Sequence, residues 1–169
     1  PVIKPDNVVE IENELKELME KEPLTIGLFA RLSWQCSSTF RASDYQGGCN
    51  GATIRFAPQK DWAVNINLDK AINKLSTIQH TFRIPWADLI ILAGNVAVEK
   101  AAKKSGHKIK IPFTQGRGDA LQEQTDVFSF NLLEPVADAF VNYQKSVSNT
   151  SSEEMMIDKA QLMQLTSPE

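Results

Sequence analysis

The sequence predicts a mainly α domain, and three observations predict it. Apolar residues recur every three to four positions through several separate stretches of the 169-residue chain. No stretch alternates apolar and polar residues long enough to build a sheet. Glycine and proline gather between the periodic segments, as at Gly47, Gly48, Gly51 and Pro58, which marks loops. Hydrophobic residues make up 42% and charged residues 23%, a composition able to bury a core, and the length suits one domain over 1–169.

The first helix is carried by Val8, Ile11, Leu15 and Leu18, with Asp6 in the N-cap position and Pro23 closing the segment. A second is expected from Thr25 to about Phe40, with Ile26, Phe29, Leu32 and Cys36 along one stripe. Residues 41–67 then read as a long ordered loop. Helix resumes over 68–81 on Leu68, Ile72, Leu75 and Ile78. The next helix opens with Pro85 at its first position, runs to Lys104 and stops at Gly106. Its small residues Ala93, Gly94, Ala97 and Ala101 let neighbouring backbones come close, which makes it the central helix.

Residues 108–114 are expected to be extended and 115–124 to form a polar loop. Pro135 is expected to open a helix carrying Val136, Phe140 and Val141. The last helix has a capping box, Ser151 with Glu154, followed by Met156, Ala160 and Met163.

A net charge of −3 gives no strong field for nucleic acid or anionic membranes. The longest apolar run, Leu89 to Val98, is interrupted by Gly94 and Asn95 and falls short of a membrane span. No signal peptide is visible at the N-terminus, and a cytoplasmic location is expected. Cys36 and Cys49 make no disulfide framework; one bridge is open to them, and two buried free thiols are the expected state. Asn149-Thr150-Ser151 matches a glycosylation acceptor, a triplet common by chance.

Chemistry-bearing signals are few. The run Gly47-Gly48-Cys49-Asn50-Gly51 lacks the Lys-Ser/Thr of a phosphate loop and reads as a tight turn, its flanking Arg41 and Arg55 facing Asp44, Asp61 or a ligand. Lys100, Lys103, Lys104, Lys108 and Lys110 surround His107 without interleaved aromatics, the pattern of a solvated helix end. The two histidines, His80 and His107, form no Cys/His cluster, so no metal site is expected. A carboxylate pair drawn from Asp44, Asp61, Asp88 and Asp119 is left open, although nothing in their spacing brings them together.

Longer motifs say more. Ser38-Thr39-Phe40-Arg41, Gly47 through Arg55 and Ala57-Pro58-Gln59-Lys60-Asp61-Trp62 resemble the catalase-peroxidase family in order and spacing. Trp86-Ala87-Asp88-Leu89-Ile90-Ile91-Leu92-Ala93-Gly94 and Pro112-Phe113-Thr114-Gln115-Gly116-Arg117-Gly118-Asp119 do so too. Gln122-Glu123-Gln124-Thr125-Asp126 and Leu133-Glu134-Pro135-Val136-Ala137-Asp138 complete a match over nearly the whole chain.

The resemblance implies a haem-peroxidase-type helical fold made of distal-side helices and long ordered loops. It also implies one of two tandem halves. The N-terminal half carries haem b and decomposes hydrogen peroxide in oxidative-stress defence. The C-terminal half, which this chain resembles, is haem-free and supports its partner within an oligomeric enzyme. On that reading the N-terminal haem-bearing domain is the partner, with neither nucleic acid nor membrane involved.

By resemblance, Arg31, Trp34 and Gln35 fall on the distal arginine, tryptophan and histidine positions of the active half. Arg31 and Trp34 match, and Gln35 does not. A distal histidine takes a proton from bound peroxide and returns it to the leaving oxygen, which needs a pKa near working pH. An amide cannot do this. Losing such general acid–base catalysis costs about 10²–10⁴-fold. The family's proximal histidine would lie beyond residues 159–169, and the tyrosine loop that crosslinks to the distal tryptophan has no counterpart between Asn67 and Trp86. Arg31 and Trp34 are therefore expected to be relics, Trp34 packed in the core and Arg31 paired with a buried carboxylate. A piece lacking proximal helices should also expose an apolar face. Two other readings remain: a divergent haem peroxidase using Arg31 and Trp34, and a helical interaction module presenting Met155, Met156 and Met163.

Overall fold

The computed structural model of the chain describes residues 5–134, 151–162 and 165–166. They fall in two compact units, Pro1–Leu133 and Glu134–Glu169. The first unit holds the long helices α1 (Pro5–Lys21), α2 (Thr25–Ser37), α3 (Leu68–Phe82) and α4 (Trp86–Lys104), then a short α5 (Val127–Asn131). Three single 3₁₀ turns, Thr53–Arg55, Gln59–Asp61 and Ala63–Asn65, punctuate the loop between α2 and α3. Of the second unit, α6 (Ser152–Leu162) is described. Among the described residues there is no strand; one isolated parallel bridge joins Gly51 and Asp119.

Helix α4 is central, as its small residues predict. Ala87, Leu89, Ile90, Leu92, Ala93, Val96 and Ala97 are buried on several of its sides, and it packs on α1, α2 and α3. Ala101 is exposed, because the last turn runs past its neighbours. The closest approach is to α2, where a Cβ on Gly94 would lie 2.2 Å from Ser33 Cβ and 2.3 Å from its Oγ. Only a residue without a side chain allows that crossing. Ile11, Leu15 and Met19 of α1, Phe29 and Leu32 of α2, and Leu68, Leu75 and Ile78 of α3 complete one continuous core.

The element boundaries depart modestly from expectation. Helix α1 begins at Pro5, so Asp6 lies inside its first turn. Helix α2 ends at Ser37 because the chain reverses there: Ser38 N–H donates to Trp34 O at 2.8 Å, and Thr39 turns into the glycine loop. Pro85 is the residue before α4, with φ −55° and ψ 138°. Residues 108–114 pair with no strand and form a strap tied by side chains: Ile111 N–H donates to Glu99 Oε1 at 2.7 Å and Asn95 Nδ2 to Pro112 O at 3.3 Å. The capping box of α6 is present, with Glu154 N–H donating to Ser151 Oγ and Ser151 N–H to Glu154 Oε2. Met155 is buried and Met156 exposed. The expected helix at Pro135, Val136, Phe140 and Val141 lies outside the described residues, as do Met163 and, in the acceptor triplet, Asn149 and Thr150.

The cysteines overturn the expectation of free thiols. Cys36, at the end of α2, and Cys49, in the glycine loop, are joined in a disulfide. Spacing alone hid it: the 38–48 turn folds back tightly enough to bring residues 13 apart in sequence to a Cα–Cα separation of 4.7 Å.

Candidate functional site

Helix α2 has two faces. Phe29, Leu32, Gln35 and Cys36 turn inward, while Leu24, Gly27, Arg31, Trp34 and Ser38 make an exposed line at three- and four-residue spacing. Leu24 and Trp34 on that line are exposed large hydrophobic residues, as are Ile66 and Phe40 elsewhere in the fold.

The three distal-type residues are thus split. Arg31 is exposed, and its Nη2 donates to the backbone carbonyl of Val64, so it pairs with no buried carboxylate. Trp34 is 54% exposed, which removes it from the core. Gln35, the next residue along the helix, is the one that turns inward.

Gln35 is 5% exposed and sits beneath the 3₁₀ turns. Gln59, fully buried, donates from Nε2 to Gln35 O at 3.3 Å, accepts from Thr53 Oγ1 at 2.8 Å, and its own carbonyl accepts from Asn65 Nδ2 at 2.7 Å. Gln35 Oε1 and Asn65 Oδ1 are buried without a hydrogen-bond donor. This polar knot under α2 was not singled out from the sequence; the one available signal was polar residues recurring inside the motif that runs from Ala57 to Trp62.

The glycine loop and the start of α4 form a second cluster. Gly47, with φ +76°, passes so near Thr39 that a Cβ would lie 2.2 Å from Thr39 O. The loop is a turn, as expected. Arg41 pairs with Asp44, whose carboxyl that hydrogen bond holds below the usual range. Arg55 does not pair with Asp61: it donates to Ala52 O, Gly51 O and Ala120 O, and Asp61 meets Lys60. Burial lowers the Arg55 pKa, opposed by the charge of Asp119.

Asp119 takes the Trp86 and Ala87 N–H groups at 2.8 and 2.9 Å, satisfying orphan donors of α4 from a remote loop. Asp88 is 2% exposed and accepts from Gly116 N–H, Arg117 N–H and Arg117 Nη1. The four aspartates named from the sequence each have partners of their own: Arg41, Lys60, Arg117 with its loop, and the first N–H groups of α4. A cleft of about 770 Å³ lies against this cluster, lined by Phe40, Tyr45, Gly48, Arg117 and Asp119 among others.

The lysine-rich end of α4 borders an open cleft of about 710 Å³ with Lys16, Glu20, Lys103, Lys108 and His107. Lys100 donates to Glu20 and to Lys16 O there, and that hydrogen bond with its charge lowers the Glu20 pKa. Both histidines are exposed, and the cleft His107 lines contains none of Arg31, Trp34 and Gln35. Among the described residues no group of three His, Cys, Asp or Glu side chains is placed to hold a metal, and no single helix is long and apolar enough to cross a membrane.

The peroxidase family profile matches residues 11–169. The chain belongs to the peroxidase family. Its helical architecture is the haem-peroxidase one. It is 50% identical over 165 residues to a catalase-peroxidase of Marinomonas sp., covering 92% of this chain and 22% of that protein. It is 51% identical over 164 residues to a catalase-peroxidase of Geobacillus kaustophilus, covering 95% and 22%. A catalase-peroxidase 2 of Alkaliphilus metalliredigens is 49% identical over 160 residues, covering 92% and 38%. The chain thus spans well under half the length of these relatives.

The peroxidase family generally uses haem. An axial ligand is the first requirement of a haem site. The chain's two histidines are exposed, and the side chain at the position of the distal base is a buried amide.

Proposed function

We propose that this chain is the C-terminal-type domain of a catalase-peroxidase, itself haem-free, which packs against a haem-bearing N-terminal half and holds its active site in register. The observation that carries this reading is Gln35: the position that would bear the proton-transferring base holds a buried amide under Gln59 and Asn65. An amide there can pack and accept a hydrogen bond, but it cannot cycle a proton at neutral pH. The fraction of the relatives' length that the chain covers is in keeping with one domain of a longer enzyme. The parent enzyme, on this reading, decomposes hydrogen peroxide with haem b and works as a homo-oligomer.

The test is reconstitution. The haem-bearing half is produced with and without this chain, and haem content and peroxide turnover are compared. The reading predicts low turnover without the chain and recovery with it. Equal turnover in both would remove the supporting role.

A second reading has one observation in its favour. Arg31 and Trp34 share the outward face of α2, where they could meet a ligand supplied from elsewhere in a longer protein. A divergent haem peroxidase of that kind requires an axial ligand outside this chain.

A further inference from the structure

We propose that the Cys36–Cys49 disulfide is a permanent structural clasp, made as the chain folds in an oxidising compartment, and not a bond that opens and closes with cellular redox state. Two features of the fold carry the proposal.

The first is that the turn between the cysteines is held by its own bonds. Arg41 N–H donates to Gln46 O at 2.9 Å, Arg41 pairs with Asp44, and Gly48 N–H donates to Thr39 Oγ1 at 3.0 Å. The folded turn therefore presents the two sulfurs to each other, and an oxidant need only remove two electrons.

The second is burial. Cys36 is 1% and Cys49 6% exposed, both within the main core, and Cys49 Sγ lies 3.9 Å from Ala87 O at the start of α4. Exchange requires a thiolate to attack one sulfur directly; Cys36 is closed to it, and Cys49, which borders the cleft of about 770 Å³, offers only a small exposed area. Loss of the bond would leave two thiols in apolar surroundings, where the thiolate form is disfavoured.

The formation step balances with a carrier disulfide as oxidant. The S–S bond between Cys36 and Cys49 forms, both thiol protons and two electrons pass to the carrier, and the carrier leaves as a dithiol. Bonds that form in this way and persist belong to oxidising environments. The inference thus places the chain there, in place of the cytoplasm expected from sequence.

The experiment uses the full-length protein from its source organism. Cells are quenched in acid, free thiols are tagged with a maleimide, and the Cys36 and Cys49 peptides are weighed before and after reduction. The expected result is one linked peptide, untagged until reduced, at the same yield with or without added peroxide. Tagging of both cysteines in unstressed cells would overturn the proposal, as would a linked fraction that rises with peroxide dose. Purified protein is also held in dithiothreitol with and without guanidinium. Protection of the bond until the denaturant is added supports the clasp, and reduction within the native fold contradicts it. Because this arm uses the unmutated chain, a variant that fails to fold cannot confuse it.

Discussion

Asp88, in the first turn of α4, binds Arg117 of the 115–119 loop, with Nη1 2.9 Å from Oδ1, while the carboxylate is 2% exposed and the guanidinium side chain 32%. The same carboxylate takes the Gly116 N–H at 2.8 Å and the Arg117 N–H at 3.3 Å. One buried charge therefore fixes the 115–119 loop against the start of α4, where Asp119 in turn caps the helix. The pair is structural chemistry, and it explains how a loop without strands or helices stays in place.

Replacing Asp88 with Asn keeps the shape but sets an NH₂ against backbone donors and leaves Arg117 without its charge partner. The expected cost is about 3 kcal/mol, in line with breaking a buried ion pair by removing one member. Arg117→Met should cost less, because Asp88 retains two backbone donors. Urea unfolding of both variants checks the order.

Gly94→Ala should destabilise the chain by about 1–3 kcal/mol, since the new Cβ would sit 2.2 Å from Ser33 Cβ. That outweighs the roughly 1 kcal/mol of helix propensity that alanine gains over glycine. Ser33→Gly in the same chain removes the obstructing atoms and should recover most of the loss. Thermal midpoints of the two single variants and the double variant give the answer. No recovery would mean the crossing is not governed by this contact.

Much of this fold was legible in the sequence because the deciding forces are local. Helical periodicity located α1 to α4 within a few residues, and the small residues of α4 marked it as central. What the sequence hid depends on distant partners. The line from Leu24 to Trp34 is exposed while Gln35 beside it is buried, its backbone carbonyl held by Gln59 of the 3₁₀ turns. Arg31 was expected to find a carboxylate and found the Val64 carbonyl. Cys36 and Cys49 looked like unpaired thiols because the turn that joins them is set by Thr39 and Gly47, not by their spacing.

Loss of the disulfide should cost about 3 kcal/mol, the loop-closure value for a loop of this length. Comparing the unfolding midpoint of the oxidised chain with that of Cys36→Ala/Cys49→Ala measures it. An unchanged midpoint would show that the hydrogen bonds of the turn suffice alone.

The strap over 108–114 should loosen at alkaline pH. Burial alone would lower Lys110, but its hydrogen bonds and charge contacts with Glu12 and Glu99 outweigh that and raise it above the ordinary 10.5. A raised folded value means the contribution is complete below the unfolded pKa and disappears as pH climbs through the folded one. With the ammonium largely exposed, the effect should be about 0.5–1 kcal/mol. The stability difference between wild type and Lys110→Met should be constant from neutral pH to about 10 and vanish above it. A difference that grows with pH would have the wrong sign for this pairing.

The central claim is that this peroxidase-family chain holds no haem of its own. Haem is titrated into the purified chain while the Soret region is followed and peroxide turnover is assayed. The account predicts no saturable Soret shift and no turnover above free haem. A saturable band that disappears in Arg31→Ala or Trp34→Phe would contradict it, and would make the outward face of α2 a working distal site.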